Sequence, residues 1–404
     1  MERISIQPRA DWQAKNEQIG FDWHTQNGQT YWDETAYWKF TQADIAQIQS
    51  TVSDGYAMLV EAIDYVIKNK LLAYFGYTPE VSAMIESSWN DRDDETPIFG
   101  KFGLALGGAS PKIMSFSSDV PTNLFETSMA QRAWVQEVLP NAGQLNNIHE
   151  ALIARFRAIA LFERTKTREI GQGVPPLHIA VMPPAPEAET AASYLQTVAA
   201  EAGVVAKYIT LDQVGWQDPY DDVEGYYVDP DGDAITKLLL MYPLAYLIND
   251  DFGAALVDLV TTGEVQIIEP AWKLLASNKR LLATMWERNA YHPALLNTVP
   301  ATSGTAAGLL LGTNGYVSKP YSGFDGQNIQ VFNADATKAD ETAGSFAADD
   351  RVLQQRASLT ETGGVFMAVD AWVIDNGNVV ALGVREADTP ILDSAARFVP
   401  HIVE

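Results

Sequence analysis

The sequence predicts an α/β protein, and a βαβ unit in the middle of the chain is the first observation behind this prediction. Leu177–Met182 is a short apolar run typical of a buried strand, Ala188–Ala202 has helical character, and Val204–Thr210 is a second strand. Two strands joined by a helical crossover run parallel. The second observation is that the last third of the chain alternates strands with turns. These strands are expected at Tyr316–Lys319, Asn328–Val331, Val365–Ile374 and Val379–Val384, with Asn376-Gly377 as a hairpin turn between the last two.

The first third of the chain predicts a long capped helix. Thr41 is suited to cap it, with Asp44 at the third helical position, and apolar residues recur at helical spacing as far as about Ala73. Aromatic residues concentrate before this helix, and two interpretations stay open for them. They can form core and cover, or they can line a substrate groove. They are Trp12, Phe21, Trp23, Tyr31, Trp32, Tyr37, Trp38 and Phe40.

A β-hairpin is predicted from Ile98 to Phe116, where two apolar runs flank Gly107-Gly108. No Lys-Ser/Thr pair and no helix start follow these glycines, so a turn is favoured over a phosphate-binding loop. Helices are expected at about Leu124–Val138 and Leu145–Glu163. Ser303–Gly308 and Ala334–Asp349 are polar, small-residue segments that indicate mobile loops.

Composition limits the classes of partner. The 404 residues suffice for two or three domains, and 52 acidic residues against 27 basic ones give a net charge of −25. Such a surface repels nucleic acid and anionic membranes, so neither is an expected partner. No run of 18 apolar residues occurs and no signal peptide is evident, so a cytoplasmic location is expected. A site for an anionic ligand needs its own local cations.

Several catalytic and metal-binding classes are disfavoured. The chain has no cysteine, which excludes thiolate chemistry. Its 5 histidines lack metal-ligand spacing. The segment Asp229–Asp233 superficially suggests a calcium loop, but its glycine is at position 4 and Leu240 stands where position 12 requires glutamate. A turn is therefore predicted there.

Four blocks carry the chemistry. They are Glu269-Pro-Ala-Trp-Lys273 with Lys279 behind it, Tyr316-Val-Ser-Lys319-Pro320 with Gly323-Phe-Asp325-Gly326-Gln-Asn328, Leu353-Gln-Gln355, and Gly383-Val-Arg385-Glu386. Taken alone, each is weak, since a lysine at a strand end is often only a solvated edge. Taken together and in this order, with an N-terminal Gly20-Phe-Asp-Trp-His24, they resemble the glutathionylspermidine synthase family.

The resemblance implies an ATP-grasp fold in circularly permuted form. Residues 1–170 and 269–404 would build the ATP-grasp lobe, and residues 171–268 would form an inserted α/β domain like the pre-ATP-grasp unit. It also implies an ATP-dependent acid–amine ligase, in which ATP phosphorylates a carboxylate and an amine displaces the acyl phosphate. Such chemistry requires ATP and two Mg²⁺ ions with oxygen ligands.

The resemblance also assigns site residues. Lys279, Lys319, Asp325, Gly326 and Gln355 look like nucleotide-binding residues, and Arg385 looks like the arginine that stabilises the transferring phosphoryl group. A substrate groove is expected to include Lys101, Asp119 and Thr122.

The chain departs from the family where the metals should bind. The family's motif reads Arg-x-Asp, eleven residues, then Glu-x-Asn-x-Asp, and the matching positions here are Lys101, Gly103, Ser115, Ser117 and Asp119. The three metal-ligand positions therefore hold Gly103, Ser115 and Ser117, and Mg²⁺ is not expected to bind there. Phe324 stands in place of an arginine, and Ala387 in place of an aspartate.

Three functional hypotheses follow. The first is a pseudoenzyme that binds a nucleotide or a peptide-like ligand, with a second family member as its protein partner. The alternative is an active ligase for a small-molecule acid and amine, with a metal site rebuilt from Asp119, Glu126 or Asp325. The third is other chemistry that handles the phosphates of ATP without metals.

Overall fold

The computed structural model describes residues 1–170, 174–219, 225–249, 251–301, 314–348, 350–374 and 377–404. Helices within this part of the chain include one π-helical turn, Glu126–Ala130, and two 3₁₀ turns, Leu72–Phe75 and Leu211–Gln213. The α-helices are Trp12–Gln18, Gln42–Lys68, Pro79–Asn90, Gln131–Val138, Ile148–Ile170, Pro186–Glu201, Leu244–Leu247, Asp251–Thr261, Trp272–Ser277 and Arg280–Arg288.

A six-stranded antiparallel sheet, here called the central sheet, contains the predicted hairpin. Phe99–Ala105 pairs with Lys112–Ser117 on one side, which confirms the hairpin, and with Val365–Ile374 on the other. The order of the remaining strands continues through Val379–Ala387 to Arg397–Val399, and Thr360–Thr362 pairs with Val365–Ile374.

The long N-terminal helix supports this hairpin. Thr41 and Asp44 form the predicted capping box, with Asp44 N donating to Thr41 Oγ1 over 3.2 Å and Thr41 N donating to Asp44 Oδ2 over 2.9 Å. A Cβ on Gly55 would lie 2.4 Å from Ile113 Cδ1 of the hairpin, so this glycine permits the close approach. The helix ends at Lys68, which is earlier than predicted.

A five-stranded antiparallel sheet, here called the cover sheet, faces the central sheet. Its order is Thr298–Pro300, Arg351–Gln355, Tyr316–Pro320, Gln330–Phe332 and Lys338–Glu341. The last strand lies within Ala334–Asp349, so the prediction that this whole segment is a loop was wrong. The other predicted loop, Ser303–Gly308, lies outside the described residues.

The predicted βαβ unit is confirmed. Leu177–Val181 and Ala206–Thr210 are parallel neighbours joined by the helix Pro186–Glu201. Lys237–Leu240 and Gln266–Ile268 complete a four-stranded parallel sheet. Asp229–Asp233 is a turn as predicted. The Nζ atom of Lys207 lies 2.6 Å from a carboxylate oxygen of Asp229 and of Asp233 and 3.1 Å from one of Asp231.

A buried ion pair joins the end of the parallel sheet to the central sheet. Glu269 Oε1 accepts hydrogen bonds from the backbone N–H groups of Ile98 and Phe99, over 3.0 and 3.1 Å. Lys273 Nζ donates to Glu269 and to Phe99 O. This pair fixes the start of the strand that carries Lys101 and Gly103.

Most of the N-terminal aromatic residues are core, which decides between the two interpretations of that cluster. Phe21, Trp32, Trp38 and Phe40 are almost fully buried, and the Trp32 ring stacks on Phe398 at 5.6 Å. The smaller sheets join Glu2–Ser5 with Ala36–Phe40 and His401–Val403, Gly215–Gln217 with Tyr226–Val228, and Thr25–Gln26 with Gln29–Thr30. None of the described helices is long and apolar enough to cross a membrane.

Candidate functional site

A cavity of about 230 Å³ lies between the central sheet and the cover sheet. The central sheet forms its floor, the strand Tyr316–Pro320 forms one wall, and residues 323–327 lie over it. Most of the residues that the sequence singles out line this cavity. They are Lys101, Gly103, Ser115, Ser117, Asp119, Thr122, Lys279, Lys319, Asp325, Gly326 and Arg385.

Strand register explains why the floor residues meet. Side chains alternate between the two faces of a strand, so Lys101 and Gly103 share one face. Across the hairpin they pair with Ser117 and Ser115, respectively. On the other neighbour Gly103 pairs with Asp370. Three adjacent strands therefore bring one lysine, two serines and one aspartate to the same part of the floor.

Arg385 is held as an oriented guanidinium beside this floor. Its Nη1 donates to Asn123 Oδ1 over 2.9 Å, and its Nη2 donates to Ala396 O over 2.8 Å. The ring of Tyr31 lies 5.7 Å from its Cζ atom. Lys101 Nζ donates to Thr122 Oγ1 over 2.7 Å and to Thr122 O over 3.0 Å.

The two remaining cations come from the cover side. Lys319 Nζ donates to Gln354 Oε1 over 2.6 Å and to Met114 O over 3.0 Å. Lys279 Nζ donates to the carbonyl oxygen of Gly323. Burial, reinforced by the nearby charge of Lys279, lowers the pKa of Lys319 to about 7. Anion binding would therefore favour protonation of Lys319.

Carboxylates also reach the cavity, at Asp119, Asp325 and Asp370. Burial raises the pKa of Asp119, against the opposing influence of Lys279. Sequence reasoning missed Asp370. The sequence does contain one indication of its importance, because Asp370 is the single charged residue within the apolar strand Val365–Ile374. Four basic side chains and three carboxylates thus line this cavity, in a chain whose net charge is −25.

Buried polar groups adjoin the floor behind Arg385. Asn123 Nδ2 donates to the hydroxyl of Tyr31 over 2.5 Å, and that hydroxyl donates to Glu126 Oε1 over 2.7 Å. Burial and the neighbouring charge of Glu126 raise the pKa of Glu187 to about 7. Glu126 is committed to this network and does not line the cavity, among the residues described there.

Comparison with known proteins identifies the family. Residues 3–404 match the family described as glutathionylspermidine synthase preATP-grasp. The chain belongs to the glutathionylspermidine synthase family.

Two relatives and one solved structure show the range of this similarity. The chain is 29% identical over 414 residues to a Haemophilus influenzae protein named "Putative acid–amine ligase", and 99% of each is covered. It is 22% identical over 392 residues to the bifunctional glutathionylspermidine synthetase/amidase of Escherichia coli, covering 92% of this chain but 60% of that enzyme. A glutathione synthetase-like effector from Globodera pallida has the same fold class, with a TM-score of 0.51, 11% identity and 98% of each chain covered.

The three positions that the resemblance matches to metal ligands carry side chains that do not suit Mg²⁺, which prefers carboxylate oxygens. Gly103, Ser115 and Ser117 lie together at the cavity floor but offer two hydroxyls and no carboxylate. A Cβ on Gly103 would lie 2.6 Å from Ser115 Oγ, so an aspartate at 103 would require Ser115 to move. Within the described ranges, no three His, Asp or Glu side chains are grouped so that they could hold a metal ion.

Two other family positions differ in geometry from the expectation. Gln355 is not among the lining residues, because the strand pleat places Gln354 on the same face as Lys319. A nucleotide role for Gln355 therefore stays a prediction. Phe324 lines the cavity, and its ring lies 5.5 Å from the rings of both Tyr246 and Phe346. An aromatic cluster thus holds this loop.

Proposed function

We propose that this protein binds ATP in the cavity between the central and cover sheets, and that it is a pseudoenzyme derived from an ATP-dependent acid–amine ligase. One contrast carries the proposal. The cationic groups that suit a phosphate chain converge on the cavity, whereas the positions for metal ligands hold glycine and serine.

The proposed architecture is a circularly permuted ATP-grasp fold. Residues 1–170 and 269–404 would form the ATP-grasp lobe, and residues 171–268 would form an inserted pre-ATP-grasp-like domain. The composition of two sheets supports this division. The strand Phe99–Ala105 pairs with Val365–Ile374, which joins the two ends of the chain in one sheet. The parallel sheet, in contrast, draws its strands from Leu177 to Ile268.

In this proposal Lys279 and Lys319 contact the phosphates of ATP from the cover side, and Arg385 contacts them from the floor. Gly323 and Gly326 keep the overlying loop close to the ligand. Gly326 has a φ of 68°, and a Cβ there would lie 2.8 Å from Asp393 Cα, so another residue would not fit without movement.

Loss of phosphoryl transfer follows from the ligand types. Mg²⁺ binds through hard oxygen ligands, and carboxylates supply most of the attraction. Replacing two anionic ligands by neutral groups removes on the order of several kcal/mol of metal binding, and each 1.36 kcal/mol is about a factor of ten. No catalytic step that depends on two metal ions is therefore assigned to these residues.

Equilibrium binding of ATP to cavity variants tests the nucleotide part. Lys279→Met and Lys319→Met are each expected to weaken ATP binding by about tenfold or more, because each removes a charge-assisted hydrogen bond. Lys68→Met is the matched control, since Lys68 is an exposed lysine that pairs with Asp64 on the long helix. If Lys279→Met and Lys319→Met bind ATP as tightly as the control Lys68→Met, this cavity is excluded as the ATP site.

Active acid–amine ligation is the second candidate function. The similarity to the Haemophilus influenzae protein over 99% of both chains favours it, as do the cavity carboxylates Asp119, Asp325 and Asp370. It predicts release of ADP when ATP and Mg²⁺ are supplied with a panel of acids and amines. Turnover abolished by Arg385→Met would establish this candidate over the pseudoenzyme.

A protein partner from the same family belongs to the pseudoenzyme proposal. Such a partner would supply the catalytic metal site that this chain lacks. Co-purification of this chain with a metal-competent family member is the expected result. Isolation of this chain alone from its native source, under conditions that preserve weak complexes, would count against a partner.

A further inference from the structure

One end of the cavity, here called the paired-charge end, carries a lysine and an aspartate beside Ser115 and Ser117. It consists of Lys101, Asp370, Ser115 and Ser117. Lys101 and Asp370 lie on adjacent strands, and Asp370 Oδ2 is 3.5 Å from Lys101 Nζ. Ser117 is the hairpin partner of Lys101. The chemistry of this end is therefore neither that of a pure anion site nor that of a cation site.

Glycine at position 103 opens the floor between these groups. A Cβ there would lie 3.9 Å from Asp370 Oδ1 and 2.6 Å from Ser115 Oγ. A side chain at this position would thus enter the space between the aspartate and the serine. Its absence leaves the Asp370 carboxylate and the Ser115 hydroxyl on either side of an open point in the floor.

The contact between Lys101 and Asp370 is loose enough for a ligand to exchange with it. A charge-assisted N–H···O bond usually spans about 2.7–2.9 Å, which is shorter than the 3.5 Å found here. Thr122 accepts two hydrogen bonds from Lys101, over 3.0 and 2.7 Å, and the third donor of this ammonium makes only a long contact with Asn123 Oδ1, over 3.5 Å. The side chains of Lys101 and Asp370 are 11% and 21% exposed, so both retain access to the cavity.

We propose that the paired-charge end binds an α-amino-acid group, in which an ammonium and a carboxylate are close neighbours. The ligand carboxylate accepts from Lys101 and Ser117, and the ligand ammonium donates to Asp370 and Ser115. The inference rests on the proposed function only in taking this cavity as the ligand site. Asp370 disfavours a purely anionic group, and Lys101 disfavours a metal ion or a purely cationic group.

Ligand-observed NMR titration of the full chain, without nucleotide, tests this assignment. The probes are L-alanine, γ-glutamylglycine, N-acetyl-L-alanine and L-alaninamide. At least one of the first two is expected to bind about tenfold more tightly than either blocked alanine, because each blocked form loses one charged contact. Binding of γ-glutamylglycine alone assigns the group to a peptide, and binding of both assigns it to a free amino acid as well.

Variants separate recognition from a general charge effect. Asp370→Ala is expected to weaken binding of the zwitterionic probe about tenfold and to leave N-acetyl-L-alanine unweakened. Asp370→Asn, which keeps the shape and one acceptor, is expected to give an intermediate loss. Asp325→Asn is the charge-matched control because it also removes a cavity carboxylate. Asparagine suits its φ of 47°, and the zwitterion preference should persist.

Three results would overturn the inference: binding of no zwitterionic probe, equal binding of L-alanine and N-acetyl-L-alanine, or an unchanged preference in folded Asp370→Ala and Asp370→Asn. The ATP proposal and the amino-acid inference can be refuted independently. ATP binding without any amino-acid binding removes the inference alone. Amino-acid binding without any ATP binding removes the nucleotide proposal alone.

Discussion

Lys319 and Lys279 reach the same cavity from different elements, and the charge of Lys279 disfavours protonation of Lys319. Lys319 lies on the strand Tyr316–Pro320, and Lys279 precedes the helix Arg280–Arg288. Burial and the charge of Lys279 lower the pKa of Lys319 to about 7. The charge of Lys319 on the cover side of the cavity therefore depends on pH near neutrality.

Proton uptake on ligand binding is the first prediction. At pH 8, Lys319 is neutral in most of the protein molecules before ATP is added. A bound anion between the two lysines favours the charged form of Lys319. ATP binding is therefore expected to take up close to one proton at pH 8 and almost none at pH 6. The affinity for ATP should fall by about tenfold as the pH rises from 6 to 8, because the fraction of charged Lys319 falls. Calorimetry in two buffers of different ionisation enthalpy measures the uptake, and Lys319→Met should abolish it. Buffer-independent heats at pH 8 would contradict the assignment.

Replacing Phe324 by arginine should strengthen anion binding and weaken the loop. The added guanidinium contributes a cation at the cavity, while the ring contacts with Tyr246 and Phe346 are lost, at a cost of about 1 kcal/mol in unfolding free energy. Phe324→Leu is the control because it loses the aromatic contacts without adding charge. ATP affinity and urea unfolding of both variants check the prediction. Equal ATP affinities in the two would show that Phe324 does not face the anion.

Rebuilding the family's metal ligands should create a metal site. The triple variant Gly103→Asp, Ser115→Glu, Ser117→Asn changes all three positions together, because Gly103 and Ser115 are too close for one replacement alone. Its affinity for Mn²⁺ should exceed that of the wild type by about a hundredfold or more. The size-matched triple variant Gly103→Asn, Ser115→Gln, Ser117→Asn lacks the negative charge and should not gain affinity. Equal Mn²⁺ binding by both triple variants would refute the explanation.

Breaking the buried ion pair Glu269–Lys273 should destabilise the junction between the sheets. Glu269→Gln or Lys273→Met leaves one buried partner unpaired, which costs about 3 kcal/mol in unfolding free energy. The double variant should lose less than the sum of the single losses, because no unpaired charge remains. Urea unfolding of the wild type and the three variants gives the interaction free energy between Glu269 and Lys273. Additive losses would show that the two residues act independently.

Local signals predicted much of the fold. The capping box of Thr41 and Asp44, the hairpin around Gly107-Gly108 and the βαβ unit depend on residues close together in sequence. Lys338–Glu341 was missed because its charged residues have low strand propensity. It lies at the edge of the cover sheet, where charged residues are common.

Long-range register explains what sequence reasoning missed at the site. Asp370 meets Gly103 only because two strands more than 260 residues apart pair at one register. A shift of one residue would turn Asp370 away from the cavity. The same alternation brings Gln354, rather than Gln355, to Lys319. The family motif between Lys101 and Asp119 identified cavity residues that lie close together in sequence. It gave no information on the distant strand Val365–Ile374, which carries Asp370.

The most direct test is calorimetric titration of ATP into the wild-type protein, once with EDTA and once with excess Mg²⁺. The cationic cavity and the neutral metal positions predict that ATP binds in EDTA, with an affinity similar to that measured with Mg²⁺. Binding that requires Mg²⁺ would contradict the loss of the metal site and would support the active ligase. An absence of ATP binding in both titrations would contradict the nucleotide site itself.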